Sequence, residues 1–195
     1  MNHHWKKLTW LSIAATLMLA CTTHIAAQAT PTATAPLDIS VFAGYTRTFP
    51  DYGQVTNPGV TFGFDFAHYF KFPIVPSLEA RANISNGTIV NERTYLFGVR
   101  MDPKLHGRFH PYGDFLIGPG NLHYVQPNGY PGYVGDNSVV KSIGGGVDFD
   151  VYKHFQVKAD VQYQFWNFGS NYTLTPTTYM IGINYRLRTR DSKPR

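Results

Sequence analysis

The stretch Phe155–Phe165 reads F-Q-V-K-A-D-V-Q-Y-Q-F and alternates apolar and polar residues without a break. A period of two is that of a β-strand, in which successive side chains point to opposite faces. The segment is long for a half-buried strand, and its length is close to what a tilted strand needs to cross a bilayer. It therefore belongs either to a soluble sheet that packs its apolar face on a core, or to a membrane barrel that turns that face to lipid.

The composition of the chain favours the membrane barrel. Charged residues make up 15% of the sequence and aromatic residues another 15%, with 13 tyrosines and 14 phenylalanines. A soluble domain carries about 25% charged residues. The 17 basic and 12 acidic residues leave a small, scattered positive excess, which does not indicate binding to nucleic acid. Low charge with many aromatic residues is typical of a protein that exposes much of its surface to lipid.

The first 29 residues have the features of a secretory signal peptide. Two lysines at 6–7 precede an apolar run at 10–20 that is too short to span a bilayer, and A-Q-A at 27–29 offers a small-x-small cleavage site. Residues 30–36 are rich in Thr, Ala and Pro, and we expect a flexible leader there. Cys21 is the one cysteine, so the chain has no pair for a disulfide. Cys21 also partly matches a lipoprotein signal, and its lipidation stays an open alternative.

Alternation recurs along the rest of the chain, and no segment after the leader has a helical period. The connections after the second, fourth and sixth strands are short, and the others are longer, which is typical of an outer-membrane barrel. We therefore predict an all-β fold at 37–188, an eight-stranded antiparallel up-and-down transmembrane β-barrel, preceded by the signal peptide and followed by a charged tail at 189–195. The predicted strands are 38–47, 60–70, 77–85, 93–101, 108–118, 138–151, 155–165 and 179–187.

The two faces of these strands differ in a way that orients the barrel. One face carries phenylalanines and tyrosines, whose volume would overfill the lumen of eight strands. The other face carries charges, which can fill a lumen if acids and bases pair there. We therefore expect aromatic residues outside and a filled, non-conducting lumen. The predicted lumen charge network is Asp65, Glu79, Arg81, Arg100, Asp114, Asp148, Asp150, Lys158, Asp160 and Arg186.

The last part of the chain resembles a known family. Ser142–Phe165 is similar to the penultimate hairpin of small outer-membrane barrels of the OmpA/OmpX type, and Met180–Leu187 (M-I-G-I-N-Y-R-L) looks like their closing strand. The chain departs from the family pattern because charged and turn-forming residues follow Leu187. The resemblance implies a bacterial outer membrane, contact with its lipid and recognition of the last strand by the barrel-assembly machinery. It also implies roles in envelope integrity, adhesion or host interaction.

The sequence has no motif for catalysis or metal binding, so we expect neither an enzyme nor a cofactor. An outer-membrane lipid A deacylase carries a His-x-Ser pair, but no histidine of the mature chain has a serine two residues later. His106 and His110 are four apart, yet Gly107 and Pro111 argue against the helix that a helical metal pair needs. A cross-strand catalytic pair, and with it a lipid-modifying enzyme, stays an alternative. A soluble exported barrel that binds an apolar ligand is the other.

The longest predicted connection, 119–137, carries three tyrosines among prolines and glycines. These residues are Tyr124, Tyr130 and Tyr133. Rigid aromatic side chains on a loop are good contact residues. The segment predicts either a surface that contacts an extracellular ligand or host surface, or a solvated loop that packs on itself.

Overall fold

A computed structural model describes residues 37–51, 56–68, 72–105, 107–125, 135–168 and 173–187. The predicted signal peptide, leader and charged tail, at 1–29, 30–36 and 189–195, lie outside the described residues. No helix in the described ranges is long and apolar enough to cross a membrane.

Eight long strands form one closed antiparallel sheet. Each pairs with its neighbour in sequence, and the first strand also pairs with the last, which closes the barrel. The two-residue strand β8 pairs only with the end of β7. The predicted eight-stranded up-and-down barrel is thereby confirmed. The strands are β1 Leu37–Phe49, β2 Asn57–His68, β3 Ile74–Asn86, β4 Val90–Pro103, β5 Phe109–Tyr124, β6 Gly135–Tyr152, β7 Phe155–Asn167, β8 Thr173–Leu174 and β9 Thr177–Arg186.

Successive side chains of β7 lie alternately outside and inside the barrel. Val161 is 43% exposed on the outer surface, whereas its neighbour Gln162 is 1% exposed inside the barrel. The other strands alternate in the same way, with apolar side chains outside and mostly polar or charged side chains inside, together with a smaller set of buried apolar side chains. A soluble monomer rarely exposes such a continuous apolar surface. The arrangement is that of a transmembrane β-barrel, in which the outer face meets lipid.

Two predicted connections are shorter than the sequence suggested. β5 continues to Tyr124 and β6 begins at Gly135, so the prediction of irregular structure over the whole of 119–137 was wrong. The connection from β3 to β4 is only 87–89, where the predicted connection was longer. This connection is a tight turn, in which Gly87 N donates a hydrogen bond to Val90 O at 3.1 Å. The backbone pairing of β5 with β6 thus continues through the turn-forming residues Gly118, Pro119 and Gly120.

The two ends of the barrel are named by their connections. The turn end holds the connections from β2 to β3, β4 to β5 and β6 to β7. The loop end holds those from β1 to β2, β3 to β4, β5 to β6 and β7 to β9.

Candidate functional site in the barrel lumen

Arg81 on β3 reaches across the lumen to two other strands. Its guanidinium donates to Asp160 on β7, with Nη1–Oδ1 at 2.8 Å and Nη2–Oδ2 at 3.2 Å, and to Asp114 on β5 at 3.4 Å. It also pairs with Glu79 on its own strand. All four side chains are buried. Such a bidentate, charge-assisted contact has a defined geometry, so Arg81 ties β3, β5 and β7 together through the interior.

Arg100 on β4 forms a second cross-lumen centre nearer the turn end. Its Nη2 donates to Asp148 on β6 at 2.7 Å and to Asp102 at 2.6 Å, and its Nη1 donates to Asp65 on β2 at 3.3 Å. The guanidinium also lies over the ring of Tyr112, 3.6 Å from its centroid. Arg100 therefore links β2, β4 and β6 and packs on a ring from β5.

Lys158 on β7 is fully buried and lies beside two carboxylates of the Arg100 centre. Its Nζ is 3.9 Å from Asp65 Oδ2 and 3.8 Å from Asp148 Oδ1. The ammonium also lies 4.5 Å from the ring centroid of Phe42 and 4.2 Å from that of Tyr112. A desolvated cation gains from both the carboxylates and the faces of aromatic rings. We call Arg81, Arg100, Lys158 and the carboxylates around them the central charge cluster.

Neutral donors also bind carboxylates of this cluster. Gln162 Nε2 lies 2.9 Å from both carboxylate oxygens of Asp114, and Tyr112 Oη donates to Asp160 at 2.7 Å. Two glycines of β6 make room for these groups, because a Cβ at Gly144 would overlap Gln162 and one at Gly146 would lie 2.7 Å from Tyr112 Oη. The Gly144-Gly145-Gly146 run of the sequence thus serves close packing inside a strand.

The ten charged residues predicted for the lumen separate into two groups. Eight are buried in the interior, and all eight are members of the central charge cluster. Asp150 and Arg186 lie at the turn-end mouth and are partly exposed, with Arg186 Nη1 3.7 Å from Asp150 Oδ1. Asp150 also contacts His110 Nε2 at 2.8 Å and accepts a hydrogen bond from Gln156 at 2.7 Å. Sequence reasoning missed His110 as a partner, because it did not predict the register of β5 against β6 that brings His110 close to Asp150.

The loop end of the lumen holds an apolar cluster that the sequence interpretation did not predict. Its side chains come from β4, β5, β6 and β7, and Trp166 is the largest of them. Trp166 follows directly after the predicted end of the seventh strand, in the same phase as the inward Gln162 and Gln164. Extending the alternation by one residue would have found it. The loop-end apolar cluster comprises Val90, Leu96, Leu116, Leu122, Val140 and Trp166.

The opposite wall of the loop end is lined with hydroxyl groups. Thr46 and Thr61 Oγ1 atoms lie 2.6 Å apart, and Thr61 donates to Asn83 at 3.0 Å. Thr48 lies 3.0 Å from Ser85 Oγ and 3.2 Å from Thr178 Oγ1. These groups satisfy one another on β1, β2, β3 and β9, so this wall is polar whereas the facing cluster is apolar. Glu92 on β4, also buried at this end, accepts a hydrogen bond from Asn57 at 3.3 Å.

The three tyrosines predicted as a contact loop are only partly described. Tyr124 lies in β5 opposite Val90 and packs against the loop-end apolar cluster, so its assignment to an irregular loop was wrong. Tyr130 and Tyr133 lie outside the described residues. Among the residues that are described, no group of three or more His, Cys, Asp or Glu side chains could hold a metal ion.

Comparison with known proteins identifies the fold. No protein-family model and no curated protein sequence matches the chain. Among solved structures, the Neisserial surface protein A superposes with a TM-score of 0.50 at 11% identity, over 76% of this chain and 96% of that one.

Two further solved structures have lower scores. Ail, the attachment invasion locus protein of Yersinia pestis, matches at 14% identity with a TM-score of 0.48, over 77% of this chain and 97% of that one. The N-terminal β-barrel domain of Pseudomonas aeruginosa OprF matches at 14% identity with a TM-score of 0.46, over 75% and 97%. The strand topology, the apolar outer surface and the likeness to the Neisserial protein together establish that this chain has the fold of the small eight-stranded outer-membrane β-barrels.

Proposed function

We propose that the protein is an integral protein of the bacterial outer membrane with a filled, non-conducting lumen. Its role would be structural in the envelope, or would be carried out by its outer loops. The observation that carries this proposal is the inversion of polarity between the two faces. Phe62, Phe64 and Phe97 are exposed outside, whereas Arg81 and Asp160 are buried inside. Only a surrounding apolar medium makes such an arrangement favourable.

Two barriers in series support the absence of conduction. In the middle of the barrel, Arg81 and Arg100 bridge strands on different sides of the lumen through direct hydrogen bonds. At the loop end, Trp166 and Leu116 belong to a buried apolar cluster, which gives a passing ion no polar contacts on that wall. An ion would have to break charge-assisted hydrogen bonds at the first barrier and lose its hydration at the second.

Planar bilayer recordings test the filled lumen. We expect no stable, large conductance from the purified protein. The Trp166→Ala variant is the matched control, because it opens only the loop-end barrier and leaves the central charge cluster in place, and it should also stay closed. Large, reproducible porin-like currents from the unmodified protein would overturn the proposal.

A pair of adjacent cysteine probes tests the membrane location. In a Cys21→Ser background, Val161→Cys carries a fluorophore on the outer surface and Gln162→Cys carries it toward the lumen. After reconstitution into vesicles, a quencher attached to lipid tails should reach position 161 and spare position 162. Equal quenching of both positions, or of neither, contradicts an integral barrel with this orientation of its faces.

The closing strand β9 supports a proposal about assembly. It pairs with both β1 and β7, and its outward side chains include Tyr179 and Ile183. We propose that the barrel-assembly machinery recognises this strand. The Ile183→Ser variant should then slow insertion by the reconstituted machinery more than it slows spontaneous folding into detergent. An equal effect on both rates would contradict recognition of β9.

The outer loops support a proposal about surface contact. Residues 126–134, which include Tyr130 and Tyr133, join β5 to β6 at the loop end. We propose that this connection contacts an extracellular ligand or host surface, without catalysis. Whole cells that express the Tyr130→Ser, Tyr133→Ser double variant should adhere less to a host-cell layer, at equal surface levels. Unchanged adhesion would exclude this connection as the contact site.

A further inference from the structure

The outer surface has a notch where small residues replace large ones. In two successive rows across β2, β3 and β4, an alanine lies between two aromatic residues. Ala82 pairs with Phe62 and Tyr95, and Ala80 pairs with Phe64 and Phe97. Neighbouring strands are about 4.8 Å apart, so the two aromatic walls stand on strands separated by roughly 10 Å. With rings on both sides, the remaining width suits one hydrocarbon chain.

The notch is a cavity of about 450 Å³ open to the outer surface, with Pro119 on β5 as a further wall. Ala82 is only 8% exposed although it faces outward, because the flanking aromatic side chains cover it. Other outward alanines lack this arrangement: Ala43 lies in a single row, between Phe62 and Ile183. The notch is therefore specific to two successive rows on one side of the barrel.

The sheet is locally interrupted beside the notch. The β4–β5 pairing includes Thr94 with Gly120 and Phe97 with Ile117, and skips Tyr95 and Leu96 between them. Pro119, which faces this gap, has no N–H to donate to a ladder. Tyr95 and Pro119 thus line the notch at a point where the backbone pairing of β4 with β5 is interrupted.

A cation lies at the loop-end side of the notch. Arg93 is the next outward residue before Tyr95 on β4, about 7 Å along the strand. Its side chain is exposed, and it makes no ion pair among the residues that the structure describes. A guanidinium at the edge of an apolar belt is placed to bind a phosphate from the membrane surface.

We propose that this notch is a binding site for one membrane lipid, with an acyl chain between the aromatic walls and an anionic phosphate head group on Arg93. The inference rests on the proposed location of the barrel in a membrane. The narrow shape of the notch favours an acyl chain over a ring system. The guanidinium of Arg93 favours an anionic over a zwitterionic head group. The site would hold this lipid more tightly than the rest of the barrel surface holds its neighbours.

Tryptophan quenching by brominated lipids tests the proposal. Phe97→Trp places a reporter in the notch wall, and Ile181→Trp places one on the opposite side at a similar exposure, 61% for Ile181 against 63% for Phe97. The signal of the parent protein, whose Trp166 is buried, is subtracted. Brominated phosphatidylglycerol should bind at the Phe97→Trp site about fivefold better than brominated phosphatidylcholine, as expected for one cation near the lipid surface. The Ile181→Trp reporter should not discriminate.

Variants separate the two parts of the site. Arg93→Gln should remove the preference for the anionic lipid while keeping the quenching. Ala82→Leu should fill the notch and reduce the quenching at Phe97→Trp, whereas Ala159→Leu, which lies between Val147 and Ile181 on the other side of the barrel, should have no effect. Circular dichroism checks that each variant is folded.

Three outcomes are distinct in this experiment. Equal quenching at both reporters by both lipids would overturn the lipid site and leave the membrane location intact. Absence of quenching at both reporters would contradict the membrane location itself. A preference at Phe97→Trp that survives Arg93→Gln and Ala82→Leu would also overturn the site as assigned.

Discussion

The middle and the loop end of the lumen are filled by opposite chemistry. The central charge cluster is built on Arg81, Arg100 and Lys158, and the loop-end apolar cluster is built on Trp166 and Leu116. Both lie within one barrel, and the side chains of both are buried. Charges hold their partners at defined distances and directions, whereas apolar groups need only volume and contact. The comparison predicts that the two clusters respond differently to the loss of one side chain.

The largest effect is expected in the middle, from Arg81→Met. Methionine keeps much of the volume but leaves Glu79 and Asp160 buried beside one cation fewer. Breaking a buried ion pair in this way costs about 3–5 kcal/mol of unfolding free energy. Denaturant titration of the barrel in vesicles, followed by gel mobility, measures it. The exposed Arg93→Met is the matched control and should change stability little. A comparable loss there would show that the cost does not depend on burial of the arginine.

A slightly smaller loss is expected at the loop end, from Leu116→Ala. Leu116 is fully buried, and its truncation leaves a cavity that costs about 2–5 kcal/mol. The two losses should differ in how they can be repaired. Adding Glu79→Gln to Arg81→Met removes one of the stranded carboxylates and should restore part of the stability, which a double-mutant cycle measures. The same Glu79→Gln change should not repair Leu116→Ala, and an equal gain in both backgrounds would contradict separate clusters.

The smallest effect is expected on the hydroxyl-lined wall, from Thr46→Val. The replacement keeps the shape and removes the 2.6 Å contact with Thr61, which retains its bond to Asn83. Loss of one neutral hydrogen bond costs about 1 kcal/mol. Thr88→Val, in the exposed connection from β3 to β4, is the control and should be neutral under the same titration. A loss of stability at Thr46 as large as that at Arg81 would mean that neutral hydrogen bonds stabilise the folded barrel as much as the buried ion pairs do.

Several features of the fold could be predicted because alternation is a local property. The phase of β7 assigned Val161 and Gln162 to opposite faces, and the same rule placed Asp114 inward on β5. The prediction failed where the composition of a segment was given more weight than its alternation. Glycine and proline around Pro119 predicted a loop, but the neighbouring strands pair across that segment.

The site depends on information that no short segment contains. Arg81 and Asp160 are 79 residues apart, and Arg100 and Asp148 are 48 apart. A sequence can put each of them on the inward face, but the stagger of the strands around a closed barrel decides which heights coincide. The same stagger brings Trp166 to Leu116 and places aromatic residues of β2 and β4 beside the two alanines of β3.

The sequence by itself determined which residues face lipid and which face the lumen, because the β-pleat makes that choice at every second residue. The tertiary structure alone decided how the inward residues are shared among a charge cluster, an apolar cluster and a hydroxyl-lined wall. It also decided that Asp150 and Arg186 lie at the mouth rather than in the cluster. The physical reason is that closure couples the register of every strand to the next, so a side chain's partner is fixed only when β1 pairs with β9.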